Sequence, residues 1–155
     1  MAANTYDFVE VGVYGGPREV LPPTVQKGAV AAGAAASITA GDICVYANGY
    51  WAKSADGGCA ADGMYGLAIN TSTDTVGADG VVSISCCPGG ALIVRGLVTT
   101  SGNLAQAILG DQVTLDVAAG VQTIDENDPN GILAIMAYNT TTGTADVLLP
   151  YALDA

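Results

Sequence analysis

The sequence predicts an all-β fold, a small β-barrel or β-sandwich, and three observations point to it. Residues 82–87 and 112–117 alternate between apolar and polar side chains, which is the period of a half-buried strand. Clusters of Gly, Asp, Asn and Pro separate such segments at short intervals, as turns do in sandwiches and barrels. No segment has the apolar spacing of an amphipathic helix of normal length.

The first 27 residues are predicted to form an extended N-terminal arm. Residues 5–14 are aromatic and β-branched, as in a strand, and Gly15-Gly16-Pro17 ends them. Pro22 and Pro23 keep the following chain extended. Either this arm docks on another molecule, or it is the first strand of its own sheet; the pattern alone does not decide. Residues 29–38 are nearly all alanine and are interpreted as a connector or a tightly packed strand.

The remaining residues, 28–155, are predicted to form one domain that contains an internal duplication. Gly41-Asp42 begins a strand that ends at the turn Asn48-Gly49, a strong hairpin signal. Gly110-Asp111 begins a similar strand, and a second turn follows at Ala119-Gly120. Leu67-Ala68-Ile69 is matched by Leu133-Ala134-Ile135, 66 residues later. The two units span about 41–87 and 110–149.

Residues 92–98 differ from the other strand segments. Leu92, Ile93 and Val94 are consecutive apolar residues, and Leu97 and Val98 follow them. A continuous apolar run is typical of a strand that is covered on both faces. We therefore expect this strand to be buried on both sides.

The composition indicates a surface that a partner covers. Half of the residues are apolar and 12% are charged, about half of the usual charged share. An extended uncharged surface is typical of proteins that bind other proteins or further subunits. The sequence therefore favours a homo-oligomer or a larger assembly.

The net charge of −11 excludes two classes of partner. Four basic residues cannot neutralise a row of phosphates, so nucleic acid is not expected as a partner. The same charge repels anionic lipid, and no segment approaches the roughly 20 apolar residues that span a bilayer. The N-terminal residues lack the basic and apolar regions of a secretory signal, so we expect synthesis in a reducing cytoplasm.

The residue types give no candidate catalytic site, metal site or cofactor site. The chain has no histidine, the usual general base, and most acidic residues lie beside turn residues. Cys44, Cys59, Cys86 and Cys87 form no C-x-x-C pair, so a zinc site is not expected. They are interpreted as buried free thiols, with a disulfide among Cys44, Cys59 and one of the adjacent pair as the alternative. An enzyme is the least supported class.

Two local motifs have a plain and a functional interpretation. Residues 125–131 resemble a calcium loop, but Pro129 occupies a ligand position and no Glu follows, so a turn is favoured. Tyr50 and Trp51, with Tyr46 nearby, are either a platform for stacking a sugar or an anchor in the core or in a subunit contact. We favour the anchor.

The candidate partner-contact residues combine the apolar residues of the arm with this aromatic pair. They are Tyr6, Phe8, Val9, Val11, Val13, Tyr14, Val20, Leu21, Tyr50 and Trp51.

Four pieces of the sequence resemble the small all-β decoration (cement) proteins of tailed-phage capsids. They are Gly41-Asp42-Ile43-Cys44-Val45, residues 49–56, Gly66-Leu67-Ala68 and Gly80-Val81-Val82-Ser83-Ile84. The resemblance spans about residues 41–149. In the second unit, Val121-Gln122 replaces Tyr50-Trp51, and the arm has no counterpart in the repeat.

The resemblance implies a non-enzymatic virion protein on the outer surface of an assembled capsid. It implies binding to the major capsid protein, often as a trimer, and stabilisation of the shell by bridging capsid subunits. Two other functions stay open at this point. One is a self-assembling filament subunit that donates its N-terminal strand, and the other is a carbohydrate-binding module centred on Tyr46, Tyr50 and Trp51.

Overall fold

The computed structural model describes residues 8–21, 29–30, 38–72 and 80–152, and it confirms the all-β fold class. Short 3₁₀ turns at 101–103 and 106–108 are the helical elements of the described residues. The strands are β1 (Val9–Tyr14), β2 (Glu19–Leu21), β3 (Ala29–Val30), β4 (Ile43–Ala47), β5 (Tyr50–Lys53), β6 (Met64–Ala68), β7 (Gly80–Val81), β8 (Ile84–Cys86), β9 (Ala91–Leu97), β10 (Gln112–Ala118), β11 (Val121–Asp125), β12 (Leu133–Asn139) and β13 (Thr144–Pro150).

The first sheet has six strands and curls into half of a barrel. Its order is β1-β9-β13-β12-β10-β11, and neighbouring strands in this order pair antiparallel. Three strands lie between β9 and β11 in this order, yet Val98, directly after β9, forms a bridge with Ile124 of β11. The N–H of Thr99 also donates to the Ile124 carbonyl at 2.9 Å. The curl therefore brings the end of one strand back to the far edge of its own sheet.

The second sheet has seven strands in the order β2-β8-β6-β4-β5-β3-β7. Buried side chains from both sheets form one core cluster, which includes Ile43 and Leu67 of the second sheet and Leu92 and Val147 of the first. A smaller cluster that includes Cys44, Trp51 and Ile84 lies in the second sheet. Ile43 and Cys44 are adjacent in β4, so their side chains point to opposite faces of the second sheet. This sheet therefore buries apolar side chains on both of its faces.

The two units of the predicted duplication have the same strand order. In the second sheet the order is β8-β6-β4-β5, and in the first sheet it is β13-β12-β10-β11. The hairpin turns also match, because Asn48-Gly49 and Ala119-Gly120 all have positive φ angles, between 53° and 86°. Positive φ at both central residues defines the type I′ turn that suits twisted strands. This common order is what a duplication requires.

The backbone changes one detail of the proposed alignment. The N–H of Gly41 donates to the carbonyl of Ala68, whereas the N–H of Gly110, in the equivalent place, donates to Ile135. Ala68 is therefore equivalent to Ile135, and the offset there is 67 residues rather than 66. The predicted offset was wrong by one residue because the sequence Leu-Ala-Ile occurs in both units. Aligning these identical residues shifts the second unit by one position relative to the backbone hydrogen bonds.

The N-terminal arm contributes one edge strand to each sheet of its own chain. β1 pairs with β9 and ends the six-stranded sheet, while β2 pairs with β8 and ends the seven-stranded sheet. Of the two arrangements considered for the arm, residues 9–14 have the second, as a strand of their own sheet. The predicted boundary at residue 27 lies outside the described residues.

β9 corrects a second expectation. Its residues alternate in burial, with Leu92 and Val94 fully buried and Ile93 and Leu97 only partly buried. The expectation that this strand is covered on both faces is therefore wrong within the described structure. Ile93 and Leu97 remain partly accessible on the outer face of the sheet, where they lie on either side of the exposed Arg95.

Candidate interaction surface

The most exposed apolar part of the described structure is the leader edge, which we define as residues 9–21. It comprises β1, β2 and the four residues between them. Because β1 ends one sheet and β2 ends the other, this short segment runs along the same side of both sheets. On that side, neither β1 nor β2 has a further strand partner among the described residues.

The leader edge carries half of the large apolar side chains that are exposed in the described residues. Five of the ten are Val9 (52% exposed), Val11 (43%), Val13 (39%), Tyr14 (62%) and Val20 (42%). Scattered exposed apolar residues are ordinary, but five within twelve positions of an open sheet edge form a patch.

Side-chain contacts hold the leader edge against the two sheets. The Phe8 ring, immediately before β1, is 2% exposed and packs on Gly96 of β9. The Glu10 carboxylate accepts a hydrogen bond from the hydroxyl of Ser85 in β8 at 3.1 Å, which links the two sheets. Arg18 pairs with Glu10 at 2.6 Å and so ties the connection to β1. These contacts therefore fix the leader edge in place against both sheets.

Charge is scarce along the first of the two strands. Glu10 is the charged residue of β1, and the guanidinium of Arg18 neutralises it. Proteins commonly protect edge strands with outward charges, prolines or covering elements. β1 carries a bulge between Glu10 and Gly12, which bends the edge, but Val9, Val11 and Val13 remain exposed along the strand. The strand is therefore suited to pairing with another chain.

The structure does not place all of the sequence-predicted contact residues on one surface. Val9, Val11, Val13, Tyr14 and Val20 lie together on the leader edge. Tyr50 is exposed (37%) in the first hairpin, away from this segment. Tyr6 and the side chain of Leu21 lie outside the described residues.

Two predicted contact residues are core residues of this chain. Phe8 is buried against Gly96, and Trp51 is fully buried in the second sheet. Neither is therefore an exposed contact. Trp51 and Tyr46 meet edge to face, with ring centroids 5.2 Å apart. The buried indole is the anchor that was favoured, and its face is not exposed for stacking a sugar.

The four cysteines are free and buried, as expected. Burial raises the pKa of the Cys59 thiol to about 12 and that of Cys86 to about 11. Burial also raises the pKa of Cys44 well above its usual value. Reactive cysteines have lowered pKa values, so these thiols behave as small apolar side chains.

The acidic loop at residues 125–131 is a turn. The N–H of Asn127 donates to the Asp125 carboxylate at 3.1 Å, and the N–H of Asn130 donates to the Asp128 carboxylate at 3.2 Å. These bonds direct the carboxylates at the loop's own backbone. Within the described ranges, no group of three or more His, Cys, Asp or Glu side chains is placed to hold a metal ion.

Sequence reasoning missed a second surface, the outer face of the six-stranded sheet. Arg95 of β9 forms two hydrogen bonds with Asp146 of β13, at 2.7 and 3.1 Å. Beside this pair lies an open depression of about 290 Å³, lined by Arg95, Ala137, Tyr138, Asn139, Thr142, Thr144 and Asp146. The two ions are 51 residues apart, so no local pattern connects them.

Searches of protein-family models, curated proteins and solved structures found no match to this chain. Among the described residues, the structure contains no helix that is long and apolar enough to cross a membrane.

Proposed function

We propose that this chain is a structural virion protein that binds the outer surface of an assembled phage capsid through its leader edge. By bridging neighbouring subunits of the major capsid protein, it would stabilise the shell. The observation that carries the proposal is the pair of open edge strands with five exposed apolar side chains.

An open strand can bind another protein with its backbone alone. A strand added from a capsid subunit would pair with the free edge of β1, and alternate side chains of the two strands would pack together. The exposed valines supply apolar area at this contact, and Tyr14 supplies a large amphipathic side chain. Binding of this kind needs no deep pocket and no catalytic group.

Repetition on a capsid lattice would supply the affinity. A subunit that contacts two neighbours, or that is linked to copies of itself, gains avidity from each additional contact. The net charge of −11 fits a position on the outer surface, away from the phosphates of the genome. The trimeric state implied by the resemblance stays a prediction.

Two experiments, carried out one after the other, test the proposal. The first examines which genes adjoin the gene for this chain, because a decoration protein is expected beside a major capsid gene. The second mixes the purified chain with emptied, expanded shells of that capsid protein and measures cosedimentation. A double variant, Val11→Lys with Val20→Lys, places one charge on each strand of the leader edge.

The matched control is Leu109→Lys, which charges an apolar side chain of similar exposure (41%) outside the leader edge. We expect the parent and the control to saturate the shells, and the double variant to bind at least tenfold more weakly. A parent that does not sediment with the shells contradicts the proposed function. Equal binding of the parent and the double variant contradicts the leader edge as the contact.

A further inference from the structure

We infer that Asn48, at the tip of the hairpin between β4 and β5, is a site of spontaneous deamidation in the folded protein. The reaction converts its side-chain amide into a carboxylate, as aspartate or isoaspartate, and water is the co-reactant. The site lies outside the leader edge, and the inference does not depend on the proposed function.

The reaction begins at the backbone nitrogen of Gly49, the next residue. This nitrogen attacks the side-chain carbonyl carbon of Asn48, and the new C–N bond closes a succinimide ring. The bond between Cγ and Nδ2 breaks, and Nδ2 leaves as ammonia with the proton of the Gly49 nitrogen. Water then opens the ring. Addition at Cγ gives aspartate, whereas addition at the main-chain carbonyl carbon gives isoaspartate, in which the chain continues through the side chain.

The first requirement of this reaction is an accessible nitrogen, and the first hairpin turn provides it. Asn48 and Gly49 are both exposed, and a Cβ placed on Gly49 would meet nothing within 4 Å. Within the described part of the chain, neither the N–H of Gly49 nor the side-chain amide of Asn48 makes a hydrogen bond. The ring can therefore close without the loss of such a bond and without a clash.

The second requirement is a backbone that can leave its turn conformation. Ring closure needs rotation of Asn48 away from the left-handed conformation, with φ of 54°, that it has in the type I′ turn. Gly49 has no side chain and can follow this rotation at low steric cost. The pair of Ala47 with Tyr50, at the end of the hairpin, has to open. Exposed chain ends and loop tips open locally at much lower free energy than the whole domain unfolds.

The chain contains a second Asn-Gly sequence, and there the structure restrains both residues. Asn130 is exposed, as Asn48 is, but its Nδ2 donates to the Asp128 carboxylate at 2.8 Å and its backbone N–H donates to the same oxygen at 3.2 Å. Gly131 packs so closely on β10 that a Cβ there would overlap the carbonyl of Val113. The same two residue types therefore occur once in an unrestrained turn and once in a restrained loop, and we expect the folded structure to separate their rates.

The two products have different effects on the hairpin. Aspartate visits the left-handed conformation as asparagine does, so the turn is retained. Isoaspartate adds a methylene group to the main chain before Gly49. The turn then no longer has the length that joins Ala47 to Tyr50 in a type I′ hairpin. The isoaspartyl product should therefore weaken the start of β5, next to the buried Trp51.

The test follows both asparagines in the full chain by peptide mapping. The protein is incubated in mildly alkaline buffer, which assists removal of the proton from the Gly49 nitrogen, and is then digested with trypsin and analysed by liquid chromatography with tandem mass spectrometry. Cleavage after Lys27 and Lys53 gives a peptide in which Asn48 is the only asparagine. Fragmentation locates the change at Asn130, and a sample that is not incubated corrects for reaction during digestion.

In the folded protein we expect Asn48 to lose its amide at least about tenfold faster than Asn130. In urea, where both sequences are unrestrained, the two rates should be similar. Equal rates in the folded protein would overturn the inference. So would an Asn48 that stays intact in the folded protein but reacts in urea, because the turn would then protect the amide.

The matched control variant is Asn48→Ala, which removes the amide and copies the second hairpin. Ala119-Gly120 has nearly the same turn, with φ of 53° at Ala119 and 80° at Gly120. After incubation, the parent is expected to unfold at a lower urea concentration than before, whereas Asn48→Ala should keep its starting midpoint. An equal loss in Asn48→Ala would place the change at another residue and overturn the inference.

Discussion

The side-chain amide of Gln122 pairs with the backbone of Ile43, 79 residues earlier in the sequence, in the manner of a strand neighbour. Its Oε1 accepts the Ile43 N–H at 2.8 Å, and its Nε2 donates to the Ile43 carbonyl at 3.0 Å. Nε2 also donates to the carbonyl of Ser54 at 2.9 Å. Gln122 is 3% exposed, so one buried side chain of the first sheet completes hydrogen bonds of the second.

Replacement of Gln122 by Ala should be among the most destabilising single changes in the chain. It would leave the Ile43 N–H and the Ser54 carbonyl buried without this partner, while the Ile43 carbonyl keeps only its bond from the Ser54 N–H. We expect a loss of about 2–4 kcal/mol in the free energy of unfolding, measured by urea denaturation. Gln112→Ala, at an exposed glutamine of β10, is the control and should change it by less than about 0.5 kcal/mol. Equal effects of the two changes would show that the amide contacts add nothing.

Much of the fold was predictable because local chemistry decides it. Asn48-Gly49 marks a type I′ hairpin by the positive φ angles that both residues tolerate, and the structure has that turn. The alternation of residues 112–117 likewise produced a strand in which Val113 and Leu115 are fully buried, although Thr114 on the opposite face is buried as well. The contact of Gln122 with Ile43 could not be predicted. A glutamine in a strand gives no signal of which distant backbone it will meet.

Gly96 is required because the Phe8 ring occupies the place of a side chain. A Cβ at residue 96 would overlap ring carbons of Phe8, and the ring cannot move without lifting the start of β1 from β9. We therefore expect Gly96→Ala to reduce the free energy of unfolding by about 1–3 kcal/mol in urea denaturation.

The control for this change is Gly102→Ala, where a Cβ would meet nothing within 4 Å. A double-mutant cycle with Phe8→Leu identifies the cause. If the ring is what a Cβ at residue 96 strikes, the double variant loses less stability than the sum of the single losses. Strict additivity would exclude the ring as the obstacle.

Ala119 occupies the position in the second hairpin that Asn48 occupies in the first. Both have a left-handed backbone, with φ of 53° and 54°, and alanine adopts that conformation at a cost. Ala119→Asn copies the first turn into the second and should raise the free energy of unfolding by about 0.5–1 kcal/mol. Thermal unfolding would show a higher midpoint. The same change at Ala118, an exposed strand residue of β10, should bring no gain. A gain at both positions would point to a general effect of the amide.

The candidate interaction surface was predicted in part. Alternating valines in residues 9–13 indicated an apolar strand, and these side chains are exposed at a sheet edge. Phe8 and Trp51 belong to the same apolar pattern but are buried. The pattern shows which residues share one face of a strand, but it does not show whether the rest of the chain covers that face. The ion pair of Arg95 and Asp146 was beyond prediction, since it depends on the pairing of β9 with β13.

Asp116 lies among other carboxylates on the outer side of the second hairpin, and its protonation should affect stability. Desolvation raises the pKa of Asp116, and the neighbouring carboxyls of Asp56 and Asp125 raise it further, while a hydrogen bond from Thr99 opposes them. An aspartate with a raised pKa in the folded state takes up a proton on folding, so stability falls as pH rises through that pKa. The unfavourable contribution is full at neutral pH and absent below the unfolded pKa, at about 3.9.

Asp116→Asn should therefore raise the free energy of unfolding at pH 7 and leave it nearly unchanged at about pH 3, below the unfolded pKa of aspartate. Urea denaturation at the two pH values measures the difference.

Removal of any one negative charge from a chain of net charge −11 relieves some general repulsion. Asp111→Asn, at the exposed aspartate directly before β10, measures that general part. The gain at residue 116 should exceed it, because the carboxyls of Asp56 and Asp125 are close to Asp116. Equal gains at the two positions would show that the local cluster costs nothing, and a gain that persists at pH 3 would show that its cause is not ionisation.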